Sequence, residues 1–218
     1  MDSVWVIKGA AGLRLQEVIE LCRRSGVTVR FADRAALDRM VPGTVHQGVV
    51  ARAAGLRFQS IEDITAATGL VVALDGVEDP HNLGAIIRTA HAAGAGAVVI
   101  PERRAAGVTP VVAKAAAGAL EHIAMVRVTN LNRALEALKK TGFWVYGLDE
   151  RGTACYDTVA YGTPAVFVAG AEGKGLHQLT RERCDSLVRI PMTGRVASLN
   201  VSVATGIVLF EWRRRTPH

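Results

Sequence analysis

From Leu70 to Met192 the sequence alternates short β-branched runs with segments of helical length, and this alternation constrains the fold more than any other feature. "LVVALDG", "AVVIPE", "IAMVRV", "FWVYGLDE", "AVFVAGAE" and "LVRIPM" are apolar runs bounded by turn residues, the pattern of strands buried on both faces. Between them, "NLGAIIRTAHAAG", "VTPVVAKAAAGALEH" and "LNRALEALKKTG" have helical length and periodicity, with Gly94 and Gly142 as C-terminal stops. Parallel strands need crossover connections, so the expectation is an α/β fold: a mostly parallel sheet with helices on both faces.

The first 58 residues read as a separate small α/β domain. "VWVIKG", "QEVIELCRRSG" and "VTVRFAD" give strand, helix, strand; "AALDRMV" adds a short helix and "HQGVVARA" a further strand. This unit is short for an independent core and reads as N-terminally incomplete. Residues 59–69 are expected to be a linker and 70–218 the larger domain.

Half of the 218 residues are hydrophobic, enough for a sizeable core. No uninterrupted apolar window approaches the ~18 residues of a membrane span, and "MDSVWVIKGAAG" has no secretion-signal pattern, so a cytoplasmic protein without membrane contact is expected. Cys22, Cys155 and Cys184 are far apart and no His/Cys group has zinc spacing, which points to reduced structural thiols and no metal. The formal net charge is +6, with arginine greatly outnumbering lysine. Guanidinium forks suit phosphates, so an anionic partner is expected, nucleic acid ahead of small phosphorylated ligands.

The common nucleotide motifs are missing. "GAGAVV" follows a helix and leads into a strand, the reverse of a dinucleotide fingerprint, and "GAEGKGL" lacks the spacing of a P-loop. Three polar clusters remain at the C-terminal ends of expected strands, where open α/β sheets bind ligands. The first, Asp75 to Ala95, turns at Asp79-Pro80, offers Asn82 as a helix cap and sets Arg88 in an Ala/Ile-rich helix; taken alone, a capped helix with one solvated arginine is the favoured reading. The second, "FVAGAEGKGL", runs a strand into Gly170, Glu172, Gly173 and Gly175, where backbone can approach a ligand closely or simply turn. The third is "IPMTGRVASLNVSVATGIVLFEWRRR". Its helix is apolar around most of its circumference and so needs covering on two sides, the second plausibly by another copy of the chain. Ser198 is the expected cap, leaving Asn200 and Ser202 to face the strand ends.

Taken in order, Asn82 and Arg88, then Gly170-x-Glu172-x-x-Gly175, then Ile190-Pro191-Met192 with Ser198-Leu199-Asn200-Val201-Ser202, resemble the motifs of the SpoU (TrmH-type) RNA ribose 2′-O-methyltransferases. The resemblance covers Leu70 to the C-terminus. "HQGVVA" ahead of such a domain resembles the branch that methylates a guanosine of 23S rRNA, in which a small α/β RNA-binding domain precedes the catalytic one.

The resemblance implies a SPOUT-type fold with a C-terminal trefoil knot, S-adenosyl-L-methionine as cofactor, and a homodimer built through the C-terminal helix region. It implies cofactor contacts at Gly170, Ala171, Gly175, Ile190, Pro191, Met192 and Leu199, and catalytic roles for Arg88, Asn82, Glu172, Ser198 and Asn200. A free guanidinium keeps its proton in water at any ordinary pH, so Arg88 is expected to clamp an RNA phosphate and stabilise the developing alkoxide, with a phosphate oxygen or water taking the proton. Arginines of the first unit and Arg213 to Arg215 are candidate RNA contacts. Two alternatives stand beside 23S rRNA methylation: methylation of tRNA, and a non-catalytic RNA-binding or ribosome-assembly role.

Overall fold

The computed structural model of the chain describes residues 2–9, 12–52, 55–103, 105–195 and 198–216. Clustering of contacts divides it into two compact units, Met1–Leu56 and Arg57–His218.

The first unit runs β1 (Ser3–Ile7), α1 (Leu13–Arg24), β2 (Thr28–Ala32), α2 (Arg34–Met40) and β3 (Val49–Arg52). β1 is central, parallel to β2 and antiparallel to β3. Its alternation is the cause of its position: Val4 and Val6 are buried with Cys22, against Leu15, Val18 and Ile19, so one face of the strand is apolar. Asp33 caps α2 by accepting the Ala36 amide at 2.7 Å. His46 closes the polar turn into β3, its Nδ1 accepting the Gly48 amide at 3.0 Å. Ala53, the last residue of the expected final strand, lies outside the described residues.

The second unit runs β4 (Leu70–Asp75), α3 (Pro80–Ala92), β5 (Ala97–Pro101), α4 (Pro110–Ala116), β6 (Ala124–Val128), α5 (Leu131–Lys140), β7 (Trp144–Leu148), β8 (Ala154–Cys155), β9 (Ala165–Gly170), α6 (Gln178–Arg183), β10 (Ser186–Arg189) and α7 (Val201–Arg215). The seven strands form one sheet in the order β6-β5-β4-β9-β7-β10-β8, and every pairing among its described strands is parallel. The segment expected as a linker lies with this unit. The Gln59 amide donates to the Met125 carbonyl at 2.9 Å, and Ile64 is buried with Val126 and Leu135. Its polar-looking sequence hides one apolar anchor.

Every residue of β4 and β9 is buried. Val71, Ala73, Val166 and Val168 share a cluster with Leu135 and Leu138 of α5. Residues of opposite parity point to the other face, where Phe167 meets the Trp212 ring of α7 edge-on. On that face α3 packs against both α4 and α7, which is why its buried set, Asn82, Leu83, Gly84, Ile86, Ile87 and Ala90, is wider than a single stripe. Gly84 permits the α3–α4 approach: a Cβ built there falls 2.4 Å from the Cβ of Ala115 and 2.8 Å from the Val112 carbonyl oxygen.

Because one of those neighbours is backbone, Gly84→Ala must push the helices apart. An overpacking cost of about 1–3 kcal/mol is expected, a fall of roughly 2–10 °C in Tm for a chain of this size. Thermal unfolding followed by circular dichroism measures it.

Candidate active site

The last residues of β4 and β9, Asp75 and Gly170, are register partners. The β4–α3 loop and the glycine-rich loop therefore leave the sheet side by side. After β9 the chain passes to β10 on the far side of β7 and then returns, so that α7 packs on α3 and β9. Three segments far apart in sequence thus meet at one set of strand ends.

They meet through side chains. Asn82 Nδ2 donates to Glu172 Oε1 at 2.6 Å and to Asp79 Oδ2 at 3.3 Å. Asn200 Nδ2 donates to the same Glu172 oxygen at 3.0 Å and to Asn82 Oδ1 at 2.9 Å. One residue from each sequence cluster is therefore tied to the other two. Asn82 is buried, and its amide nitrogen and oxygen both have partners, as a buried amide requires.

Two caps differ from expectation. Asp79, not Asn82, caps α3, its carboxylate accepting the His81 amide at 2.8 Å. Asn82 sits three residues further in, free to reach across to Glu172. Likewise Asn200, not Ser198, caps α7, accepting the Ser202 and Val203 amides at 2.9 and 3.4 Å and the Ser202 hydroxyl at 2.6 Å. In both cases two nearby residues have suitable side chains and the backbone geometry at the helix start selects one.

The glycine-rich loop folds back on itself: Ala171 and Gly175 exchange both backbone bonds, at 3.0 and 2.8 Å. Gly173 and Gly175 have φ of +71° and +66°, the left-handed region that glycine adopts freely. A Cβ on Gly170 would lie 2.2 Å from the Gly175 carbonyl carbon, so nothing larger than hydrogen fits. Beside this hairpin is a cleft of about 400 Å³ lined by Gly170, Ala171, Glu172, Gly175, Ile190, Met192, Ser198 and Leu199. Of the expected cofactor residues only Pro191 does not line it. Val196 and Ala197, within the third motif, lie outside the described residues.

Arg88 stands apart. Six residues beyond Asn82, it is about 9 Å along the helix and about 240° around it. Its side chain is exposed, has no hydrogen bond or ion pair among the described residues, and lines neither of the two cavities found here. The terminal arginines are partly engaged internally. Arg214 makes two bonds to Glu211, at 2.9 and 2.8 Å, and Arg215 a third; these bonds pull the Glu211 carboxyl down to about 2.

Sequence reasoning passed over Leu148, Asp149 and Glu150, which line the cleft from the end of β7, and His177, which bonds to Asp75. The signal for the first group was present: "GLDE" ends a strand, and strand ends are where such sheets bind. His177 had none, lying just past the last glycine of its motif.

Residues 69–210 match the SpoU rRNA Methylase family, and residues 1–59 match the RNA 2′-O ribose methyltransferase substrate-binding family. The chain belongs to the SpoU methylase family. It is 47% identical over 218 residues to the 23S rRNA (guanosine-2′-O-)-methyltransferase RlmB of Pseudomonas putida, covering 97% of this chain and 87% of the relative. It is 48% identical to the RlmB of Xanthomonas campestris, covering 96% and 86%. Among solved structures, the AdoMet-bound rRNA methyltransferase of Sinorhizobium meliloti superposes with a TM-score of 0.82 at 29% identity, covering 100% of this chain and 81% of that one. Membership in the SpoU family gives the junction its meaning, since each of its three residues comes from a different motif of the resemblance.

Replacing Asn200 tests that junction. Asn200→Ala removes a helix cap, worth about 1 kcal/mol, and strips Asn82 Oδ1 of its donor, adding about 1–3 kcal/mol. Asn200→Ser keeps a cap without the reach to Asn82. Urea unfolding should therefore rank wild type above the serine variant and the serine variant above the alanine one.

Proposed function

We propose that the chain is an S-adenosylmethionine-dependent RNA ribose 2′-O-methyltransferase whose substrate is a guanosine of 23S rRNA. The observation that carries this reading is the Asn82–Glu172–Asn200 junction beside the cleft walled by Gly170 and Leu199. The cleft fits the cofactor in size, about 400 Å³ against roughly 300–1,000 Å³ for ligand sites in general. It fits in character too: the close backbone turns at Gly170 and Gly175 expose main-chain groups that recognise a nucleoside without bulky side chains. Gly170, Ala171, Gly175, Ile190, Met192 and Leu199 would hold it. When bound, S-adenosylmethionine supplies an electrophilic methyl group on a sulfonium.

The residues of this chain then have positional tasks. Asn82 and Asn200, locked through Glu172, fix the polar floor on which the ribose rests, and Ser198 extends that floor from the cleft side. Holding an acceptor hydroxyl in near-attack geometry contributes several kcal/mol, up to about 7–11 in model reactions. Arg88 engages the RNA phosphate beside the target ribose and stabilises the developing alkoxide, while a phosphate oxygen or water accepts the proton. The first unit holds the RNA.

The same reading includes a homodimer and a trefoil knot. Val203 and Phe210 are each half exposed on α7, seven residues apart and so on one face, which supports a second copy covering that stripe. The return of α7 to the centre of the sheet after β10 supports a threaded chain. Arg88, pointing away from the junction of its own chain, serves the site of the partner. With no helix long and apolar enough to cross a membrane among the described residues, the proposed place of work is the cytoplasm, where the ribosomal RNA is.

Two results are expected. Gly170→Ala lowers S-adenosylmethionine affinity in isothermal titration by at least about tenfold, equal to 1.4 kcal/mol, because the added methyl must displace the Gly175 backbone. Arg88→Ala and Asn82→Ala homodimers are each inactive, yet mixing and reassembling them restores activity toward about a quarter of wild type, since one site in each mixed dimer regains both residues. Tritiated-methyl transfer to a 23S rRNA transcript measures it. No recovery would place Arg88 in its own chain's site.

A further inference from the structure

On the other side of Glu172 lies a second cavity, of about 440 Å³, with two groups that the scheme above leaves idle. Asp75, buried at the end of β4, accepts the His177 backbone amide at 2.8 Å and faces the His177 ring with its other oxygen, 3.0 Å from Nδ1. An ionised carboxylate only accepts, so Nδ1 carries a proton and Nε2 is left for a ligand. The ring is half exposed and lines the cavity together with Lys174.

The charges in this cavity are unevenly committed. Asp79 takes the His81 amide and the Asn82 side chain; Glu172 takes both asparagines; Asp75 takes His177. Among the lining carboxylates, Glu78 alone has no partner among the described residues. Among the described residues neither Lys174 Nζ nor His177 Nε2 has a partner; Nε2 accepts in the neutral ring and donates in the protonated one. With the ring protonated, two donors stand at the mouth of the cavity, which suits an anion carrying a single charge and two exposed oxygens.

We propose that this cavity seats a backbone phosphate of the substrate RNA, with His177 donating from Nε2 and Lys174 from Nζ. The inference rests on the RNA methyltransferase reading above and concerns a different phosphate from that given to Arg88. With Nδ1–H held by Asp75, donation from Nε2 makes His177 the imidazolium in this contact. The other titratable or charged groups around the ring are Asp75 from β4, Glu78 and Asp79 from the β4–α3 loop, and Glu172 and Lys174 from the glycine-rich loop; Arg181, on the helix that follows His177, is turned to the Leu176 carbonyl and Asp149. His177→Arg keeps a cation at this position and leaves those groups unchanged.

The test uses the full chain and an unmodified 23S rRNA transcript. His177→Ala should raise the RNA KM roughly tenfold or more, the worth of a charge-assisted bond. It should also reduce the slope of log KM against log salt by about 0.7, one phosphate contact. The S-adenosylmethionine Kd should be unchanged. His177→Arg should keep an RNA KM near wild type. An alanine variant with wild-type KM and salt slope would overturn the proposal. So would one that loses S-adenosylmethionine binding in step with RNA, because His177 would then be a strut for the loop. If wild type itself neither binds S-adenosylmethionine nor methylates the transcript, the broader reading falls and this one with it.

Discussion

A single strand placement governs this molecule. β9 is the sixth of the seven strands in its unit, yet it pairs with the first, β4, at the centre of the sheet. All six residues of each strand are buried, and each large apolar side chain so placed contributes roughly 1.5–3 kcal/mol. That burial fixes β9 between β4 and β7, aligns Asp75 with Gly170, and brings two loops separated by about ninety residues to one edge. At an edge of the sheet, β9 would carry the glycine-rich hairpin away from Asn82 and no polar junction could form.

The junction is the reason to hold the loops so firmly. A carboxylate and two amides close together are expensive to desolvate unless each is satisfied. Here Glu172 Oε1 receives two N–H donors, and the asparagines are bonded to each other. Such a closed set has few alternative arrangements, so its polar atoms are positioned before any ligand arrives. Two helix caps anchor it: Asp79, which also accepts from Asn82, caps α3, and Asn200, itself a member of the junction, caps α7.

The alternation of strand and helix was legible because burial on both faces leaves continuous apolar runs, and the three polar clusters stood out as exceptions to those runs. Strand order was not legible: periodicity says that "AVFVAGAE" is buried but not which strands it lies between. The caps were ambiguous for a chemical reason. Asp79 and Asn82, like Ser198 and Asn200, are all competent to accept from a helix N-terminus, and only backbone geometry separates them. Motif order groups Arg88 with the asparagines, whereas the angular step of a helix turns it away from the junction of its own chain. Leu148 to Glu150 carry one mark only, their position at the end of a strand that the sequence itself predicts. His177 was missed because its partner Asp75 lies 102 residues away.

Ala171, Glu172 and Lys174 line both the cleft and the second cavity, so the glycine-rich hairpin is a thin partition with a face toward each. Whatever occupies one compartment presses on or steadies the wall of the other. Thermodynamic reciprocity then requires that the two occupants alter each other's affinity by one common factor. The hairpin is thus the natural place for cross-talk between small molecule and macromolecule, and its three glycines set how much of a push is transmitted and how much is absorbed.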